Sequence, residues 1–187
     1  MLCSQNPNKL RELSTLLPDW RLEPLDADDY PEEGSDGYYE NARGKAAYGR
    51  AAGPPDAWML GEDSGVEVAS LGGGPGIRSA RYGKEVGVRA IERLLGELRG
   101  VEDRRARYVC ELVLLGPAGE ELRGSGELRG RIGEEALGSE GFGYDPVFVP
   151  EGEERTVAEL GNDWKSRNSH RARAAADLRA ALARFPD

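Results

Sequence analysis

Two strand-like segments joined by a short turn stand out in the second half of this 187-residue sequence. Residues 107–115 are largely apolar, Pro117-Ala118-Gly119 supplies turn residues, and residues 121–130 follow as a second extended segment. Apolar runs bounded by proline and glycine are typical of a β-hairpin. The sequence therefore predicts a long hairpin, and with it a sheet.

The first half of the sequence alternates helix-like with strand-like segments. Leucines at helical spacing follow the loop Ser4–Lys9 and stop at Pro18, and glycine with two prolines closes an alanine-rich helix. We predict helices at 10–17, 38–52 and 86–98, strands at 20–25, 57–60, 66–71 and 147–149 with a break at 61–65, and a last helix from Asn168 or Ser169 to Leu182. Strands alternating with helices, then a hairpin, indicate an α/β fold with a mixed sheet.

Length and composition narrow the class of protein. A chain of 187 residues suggests a single domain, 1–187. Its 25 basic and 34 acidic residues leave a net charge of −9, which argues against broad binding to nucleic acid. The sequence has no apolar run of about 18–20 residues and no signal-peptide pattern at its start, and its two cysteines lie far apart. We expect a cytoplasmic protein with no membrane partner, disulfide framework or zinc site.

Familiar nucleotide and hydrolase motifs do not match. The P-loop pattern is absent, because Gly44-Lys45 and Gly83-Lys84 are followed by alanine and glutamate rather than serine or threonine. The glycines at 72–76 follow a predicted strand but open no helix, so a dinucleotide-binding loop is not indicated. His170 has no carboxylate nearby in sequence to complete a Ser-His-Asp triad.

The loop Ser4–Lys9 is one candidate site. It precedes a predicted helix, and helix N-termini attract anions because their first N–H groups lack partners within the helix. Side chains of Ser4, Asn6 and Lys9 add donors. The same residue types are also typical of a simple helix cap, so the loop alone leaves both interpretations open.

Two acidic pairs, Glu32-Glu33 and Glu62-Asp63, form a second candidate site. Oxygen ligands on loops suit Mg²⁺, which takes one or two carboxylates and completes its shell with water and phosphate. We place Asp63 at the break between two predicted strands, where a carboxylate has little structural use. The alternative, for Glu32 above all, is a surface position in an acidic protein.

The order of motifs along the chain is similar to that of a known family. Ser-x-Asn-x-x-Lys near the N-terminus, Glu-Asn-Ala-x-x-Lys-Ala at 40–46 and Glu-Asp-Ser-Gly at 62–65 are followed by four more: Gly-Gly-x-Pro-Gly-Ile-x-Ser-Ala-Arg-Tyr ending at Tyr82, Gly-Phe-Gly-Tyr-Asp-Pro-x-Phe at 141–148, Thr-x-Ala-Glu-Leu at 156–160 and Ser-His-Arg at 169–171. This set resembles the inosine/xanthosine triphosphate pyrophosphatase family, whose members hydrolyse non-standard purine nucleoside triphosphates. The resemblance spans almost the entire chain.

The resemblance implies a long mixed central sheet, with helices forming two lobes around a substrate cleft, and an enzyme that is usually a homodimer. It implies Mg²⁺ held by Glu33 and Asp63, with Asp63 also the general base and a nucleoside triphosphate as the substrate. Gln5 replaces the family's usual glycine, Glu62 replaces a more usual aspartate, and Glu32 is the alternative to Glu33. The implied substrate-binding residues are Ser4, Gln5, Asn6, Asn8, Lys9, Ser64, Phe142, Gly143, Tyr144, Asp145, Lys165, His170 and Arg171.

Elementary chemistry agrees with these roles. Splitting a triphosphate between its α and β phosphorus atoms needs an in-line water and charge neutralisation. An aromatic face such as Phe142 stacks on any purine, so it gives no selectivity. Selectivity therefore falls to Lys165, His170 and Arg171, which can donate to the 6-keto oxygen of hypoxanthine or xanthine, where adenine carries an amino group.

Two alternatives stay open. A Maf-like nucleotide pyrophosphatase has a first loop that also ends in proline and basic residues, although the motifs at 142–146 and 169–171 favour the first family. A non-catalytic nucleotide sensor would keep the pocket and lose turnover, and the presence of both Glu33 and Asp63 argues against it.

Overall fold

The fold is built around a mixed β-sheet. The structure, a computed structural model, describes residues 1–27, 30, 34, 36–82 and 89–185. Within these residues one sheet has the order β1-β2-β3-β4-β5. The strands are β1 (Leu2–Cys3), β2 (Met59–Val68), β3 (Arg105–Leu115), β4 (Glu121–Ile132) and β5 (Phe148–Pro150). Because β1 pairs parallel to β2 and β4 pairs antiparallel to β5, the predicted α/β class with a mixed sheet is confirmed.

The predicted hairpin is present. The Gly116 N–H donates to the Glu120 carbonyl near the turn, and the Ile132 N–H donates to the Arg104 carbonyl at the far end, so β3 and β4 run antiparallel. Both strands extend two residues beyond the predicted outer limits, 107 and 130, because apolar alternation does not mark where backbone pairing stops.

The described residues also form five α-helices and two 3₁₀ turns. The helices are α1 (Pro7–Leu16), α2 (Tyr38–Ala52), α3 (Ala90–Glu97), α4 (Val157–Asn168) and α5 (His170–Ala183), with 3₁₀ turns at Ala69–Leu71 and Gly76–Arg78. Pro7 occupies the first position of α1, where the missing N–H costs nothing. Thr156 and Glu159 form a reciprocal capping box at the start of α4. No helix in the described part of the chain is long and apolar enough to cross a membrane.

The chain divides into two compact units, each with its own core. The first unit comprises Met1–Asp63, Cys110–Gly126 and His170–Asp187, and its largest core cluster includes Leu2, Leu13, Leu17, Leu60, Leu112 and Leu178. The second unit comprises Ser64–Val109 and Glu127–Ser169, and its core includes Val66, Val68, Leu94, Leu98, Ile132 and Phe148. A single domain spanning 1–187 stays a prediction.

The predicted break at residues 61–65 is wrong, because β2 runs through it without interruption. Its two glycines mark close backbone approach rather than a turn. A Cβ at Gly61 would lie 1.9 Å from the Ala42 carbonyl oxygen, and one at Gly65 would lie 2.2 Å from the Gly76 carbonyl oxygen. Glu62 and Asp63 therefore lie inside a buried strand and not on a loop.

Other parts of the prediction also differ from the structure. Residues 20–25 form no strand, although Pro24 makes a single bridge to Leu2. The helix predicted at 86–98 is observed as Ala90–Glu97, while residues 86–88 lie outside the described residues. Helix α4 was not predicted, because its composition is polar and Gly161 interrupts it with a left-handed φ of 87°.

Candidate active site

The loop before α1 is held by its own side chains. The Asn6 side chain caps the helix by accepting a hydrogen bond from the Asn8 N–H at 3.0 Å, and Ser4 Oγ accepts one from the Asn6 N–H at 3.2 Å. The Gln5 amide donates to the Ala27 carbonyl at 3.3 Å. The cap that the sequence left as an alternative is thus present, and it shapes the loop predicted to bind phosphates.

Glu62 lies at the centre of a buried charge cluster in the first unit. Its side chain is fully buried and forms ion pairs with Lys9 of α1 and with Arg171 of α5, the latter at 2.9 Å. Arg171 also donates to Glu12 at 2.5 Å. Burial by itself raises the pKa of the Glu62 carboxyl, but the charges of Lys9, Arg171 and Lys45 outweigh it and hold that pKa well below its usual range.

Cys110 of β3 borders this cluster. Its thiol lies 3.6 Å from Glu62 Oε1 and donates to it. Burial, followed by the negative charge of Glu62, raises the pKa of the thiol well above its usual value. Cys110 is therefore held as a neutral thiol, which suits a structural role better than a nucleophilic one.

Asp63 faces a different helix from Glu62. Neighbouring residues of a strand point to opposite sides, so Glu62 meets α1 and α5 while Asp63 meets α2. The Asp63 carboxylate is 2% exposed; Lys45 Nζ donates to Oδ1 at 2.9 Å, and Asn41 Nδ2 donates to Oδ2 at 3.1 Å. The acidic pair of the sequence is thus separated into two sites, one buried ion cluster and one carboxylate held by two donors.

Asn41 and Lys45 are site residues that the sequence reasoning did not assign. Both belong to the motif at 40–46, and their spacing of four places them on one face of α2. Lys45 also donates to the Glu62 carbonyl oxygen at 3.2 Å. Their helical spacing was visible in the sequence, but the partner that they share was not.

A second group of predicted residues meets in the second unit. The loop at 138–146 brings Phe142 and Asp145 to Lys165 of α4, whose ammonium lies 2.5 Å from Asp145 Oδ2 and 4.3 Å from the centroid of the Phe142 ring. Asp145 Oδ2 also accepts the Phe142 N–H at 2.7 Å, and Oδ1 accepts from the Tyr108 hydroxyl at 3.3 Å. The carboxylate thus orients both the aromatic ring and the lysine.

Glycines allow this loop to fold around Asp145. Gly141 adopts a φ of 75°, and a Cβ there would lie 2.2 Å from Asp145 Oδ2. Gly143 adopts a φ of 65°, also in the left-handed region. Tyr144 donates its hydroxyl to the Ser79 carbonyl at 2.9 Å, and burial raises its pKa. Tyr144 therefore anchors the loop from within the core.

The remaining predicted residues are placed as follows. Ser64 follows Asp63 in β2 and is half-buried, and His170 is the buried first residue of α5. Glu32 and Glu33 lie outside the described residues, so the choice between them as metal ligand stays a prediction. The structure brings together Lys9, Glu62 and Arg171 in one cluster, and Phe142, Asp145 and Lys165 in another.

Asp63 is the described carboxylate with the chemistry of a Mg²⁺ ligand. Among the described residues no group of three or more His, Cys, Asp or Glu side chains is arranged to hold a metal. Mg²⁺ needs fewer, because one or two carboxylates suffice when water and phosphate complete its shell. Each Asp63 oxygen has two lone pairs and can accept more than one contact, so the two donors named above do not exclude a metal ion. The donor set fits the ion.

Comparison with known proteins identifies the family. The model of the Ham1 family matches residues 1–181. The dITP/XTP pyrophosphatases of Deinococcus deserti and Gloeobacter violaceus are 43% and 41% identical to this chain, covering 97% and 98% of it and 88% and 94% of their own lengths.

Solved structures agree with this assignment. The Ham1 protein of Staphylococcus aureus is 34% identical with a TM-score of 0.82, covering 97% of this chain and 96% of its own. A HAM1 protein from Coxiella burnetii is 33% identical with a TM-score of 0.83, covering 98% of each chain. The resemblance inferred from the order of motifs is confirmed, and the chain belongs to the Ham1 family.

Proposed function

We propose that this protein hydrolyses the non-canonical purine nucleoside triphosphates ITP, dITP and XTP to the monophosphate and pyrophosphate, and so removes them from the nucleotide pool. The observation that carries the proposal is the match along nearly the whole chain to relatives named dITP/XTP pyrophosphatase. The same match favours this function over a Maf-like enzyme. The buried Asp63, held by Lys45 and Asn41, favours catalysis over a sensor role.

The N-terminal loop and strand β2 supply the groups for the phosphate chemistry. Lys9, with the Ser4, Asn6 and Asn8 side chains at the start of α1 and Ser64 of β2, binds the phosphate oxygens. Asp63, together with Glu33, would hold Mg²⁺, which would supply charge neutralisation on the phosphates. Asp63 takes the proton of the attacking water, and we assign this role to Oδ2 because Oδ1 receives the Lys45 ammonium.

Recognition of the base falls to the second group of residues. Phe142 stacks on the purine, and Lys165, held in place by Asp145, directs an N–H toward the 6-keto oxygen. An ammonium has three donors, so it can contact Asp145 and a substrate oxygen at the same time. The resemblance assigns His170 and Arg171 to the same edge of the base. Adenine presents an amino group there, which cannot accept these hydrogen bonds.

Cofactor, assembly and location complete the proposal. We propose Mg²⁺ as the cofactor, a homodimer as the active assembly and the cytoplasm as the location, and these three rest on the family. The substrate is a small nucleotide, and the net charge of −9 supports the view that the protein does not bind nucleic acid.

A nucleotide panel with separate detection of pyrophosphate and orthophosphate tests the function. We expect ITP, dITP and XTP to yield pyrophosphate in the presence of Mg²⁺, with ATP turned over far more slowly and with no activity in excess EDTA. Release of orthophosphate from the γ position, or equal hydrolysis of ATP and ITP, contradicts the proposal.

A further inference from the structure

Asn41 contacts the candidate general base and a separate chain segment at the same time. Its side chain is 7% exposed in the first turn of α2. The amide Nδ2 donates to Asp63 Oδ2 at 3.1 Å, while Oδ1 accepts the Gly34 N–H at 2.8 Å. One neutral side chain thus bridges strand β2 and the segment that precedes α2.

The two contacts determine which way the amide points. A backbone N–H can only donate, so the atom of Asn41 that faces Gly34 must be the carbonyl oxygen. The NH₂ group must then face Asp63, whose ionised carboxylate can only accept. Both contacts require the same orientation of the Asn41 amide. The hydrogen bond from the Gly34 N–H therefore keeps the NH₂ group of Asn41 directed at Asp63.

Helix α2 provides a rigid base for this donor. It packs directly on β2 at Gly61, where a Cβ would lie 1.9 Å from the Ala42 carbonyl oxygen. Asn41 and Lys45, one turn apart, then reach one carboxylate oxygen each. Two donors on two oxygens fix the plane of the Asp63 carboxylate more closely than the ion pair with Lys45 does by itself.

We propose that Asn41 is a positioning residue for Asp63 in nucleotide hydrolysis. Its donor holds Oδ2 in the orientation in which Asp63 accepts the proton of the attacking water. The proposal rests on the proposed function. Misplacement of a reacting group by about 1 Å can cost on the order of 10²-fold in rate, so losing the donor should lower kcat more than it alters substrate binding.

A double-mutant cycle in kcat, with ITP as the substrate, tests the proposal. Asn41→Leu has a similar volume but makes neither hydrogen bond, and we expect kcat to fall by roughly 10- to 100-fold while KM stays within about two-fold. Asp63→Asn alone should lower kcat by about 10²–10⁴-fold, as for a lost general base. In the Asp63→Asn background, Asn41→Leu should cost less than about three-fold, because residues acting through one group are not additive.

Two further variants separate positioning from simple structural support. Ala47→Leu introduces the same side chain at an exposed position of α2 and should leave kcat unchanged. Asn41→Asp keeps the acceptor for Gly34 but cannot donate to Asp63, so we expect it to lose kcat as Asn41→Leu does. Wild-type kcat in Asn41→Asp or in folded Asn41→Leu, or losses that multiply fully with Asp63→Asn, overturns the proposal.

A readout that needs no activity separates failure of the positioning role from failure of the proposed function. Denaturant unfolding of the wild-type protein, the two single variants and the double variant should show a coupling between Asn41 and Asp63 in the free energy of unfolding. If the wild-type protein fails to release pyrophosphate from ITP, the proposed function fails, and the coupling still tests the contact. Absence of coupling in folded variants overturns the positioning role directly.

Discussion

Lys165 shows how a residue acquires partners that no motif reveals. The sequence assigns it to the base pocket through the resemblance, and the structure places its ammonium between the Asp145 carboxylate and the Phe142 ring. The Asp145 contact joins residues 20 positions apart. Similarly, Arg171 contacts Glu62 109 positions away. Motif order makes these residues site candidates, but their partners depend on how distant segments pack.

Selectivity between ITP and ATP should depend on Lys165. Replacing it with methionine keeps most of the stem and removes the donor, so we expect kcat/KM for ITP to fall about tenfold or more, the effect of losing one hydrogen bond to a charged group. ATP should lose less, because its amino group no longer meets a cation. The quantity to measure is the ITP/ATP ratio of kcat/KM.

Arg167→Met is the matched control for this prediction, because it removes an exposed cation from the same helix. Its ratio should equal that of the wild-type protein. An unchanged ratio in Lys165→Met would mean that Lys165 attracts the phosphates rather than reading the base, and selectivity would then rest on His170 and Arg171.

Glycine is the residue whose effect on the strands and helices of this protein was hardest to predict from the sequence. The hairpin and helices α1, α2 and α5 follow from apolar spacing, turn residues and caps, which are local signals. The sequence predicts a strand break at residues 61–65, whereas Gly61 and Gly65 each permit another backbone to approach β2. Gly161 interrupts α4, so the sequence pattern does not indicate a helix there. A glycine in sequence does not say whether it bends the chain or makes room.

Two glycines of the first unit should therefore respond in opposite ways to alanine. Gly61→Ala forces a Cβ against the Ala42 carbonyl oxygen, so we expect a loss of about 1–3 kcal/mol or more in the free energy of unfolding. Gly44 is exposed within α2, and a Cβ there meets no atom within 4 Å, so Gly44→Ala should stabilise the protein by about 0.5–1 kcal/mol. Urea unfolding measures both. A neutral Gly61→Ala would contradict the close packing of α2 on β2.

The net charge of the protein does not predict the charge of its individual sites. The chain has a net charge of −9, yet the buried charges of the first unit around Glu62 and Asp63 are balanced. Three cations, Lys9, Lys45 and Arg171, form ion pairs there with three acids, Glu12, Glu62 and Asp63. Composition and periodicity do not show the division into two units, because each unit is assembled from separated segments of the chain. Composition therefore predicts neither the balanced buried charges nor the two units, because both depend on contacts between segments that are distant in sequence.

Global stability should fall in acid because of Glu62. Its pKa is held well below the usual value of 4.5 in the folded protein, so the ionised carboxyl stabilises the fold above pH 4.5, and that contribution is lost as the pH drops through the folded pKa. Glu62→Gln should lower stability at pH 7, because Lys9 and Arg171 lose their shared carboxylate, and should flatten the dependence of stability on pH below 4.5. Glu154→Gln, at an exposed position, should keep the slope of the wild-type protein. Urea unfolding between pH 7 and about 3 measures all three proteins, and a Glu62→Gln variant with the wild-type slope would show that acid unfolding arises at other carboxylates.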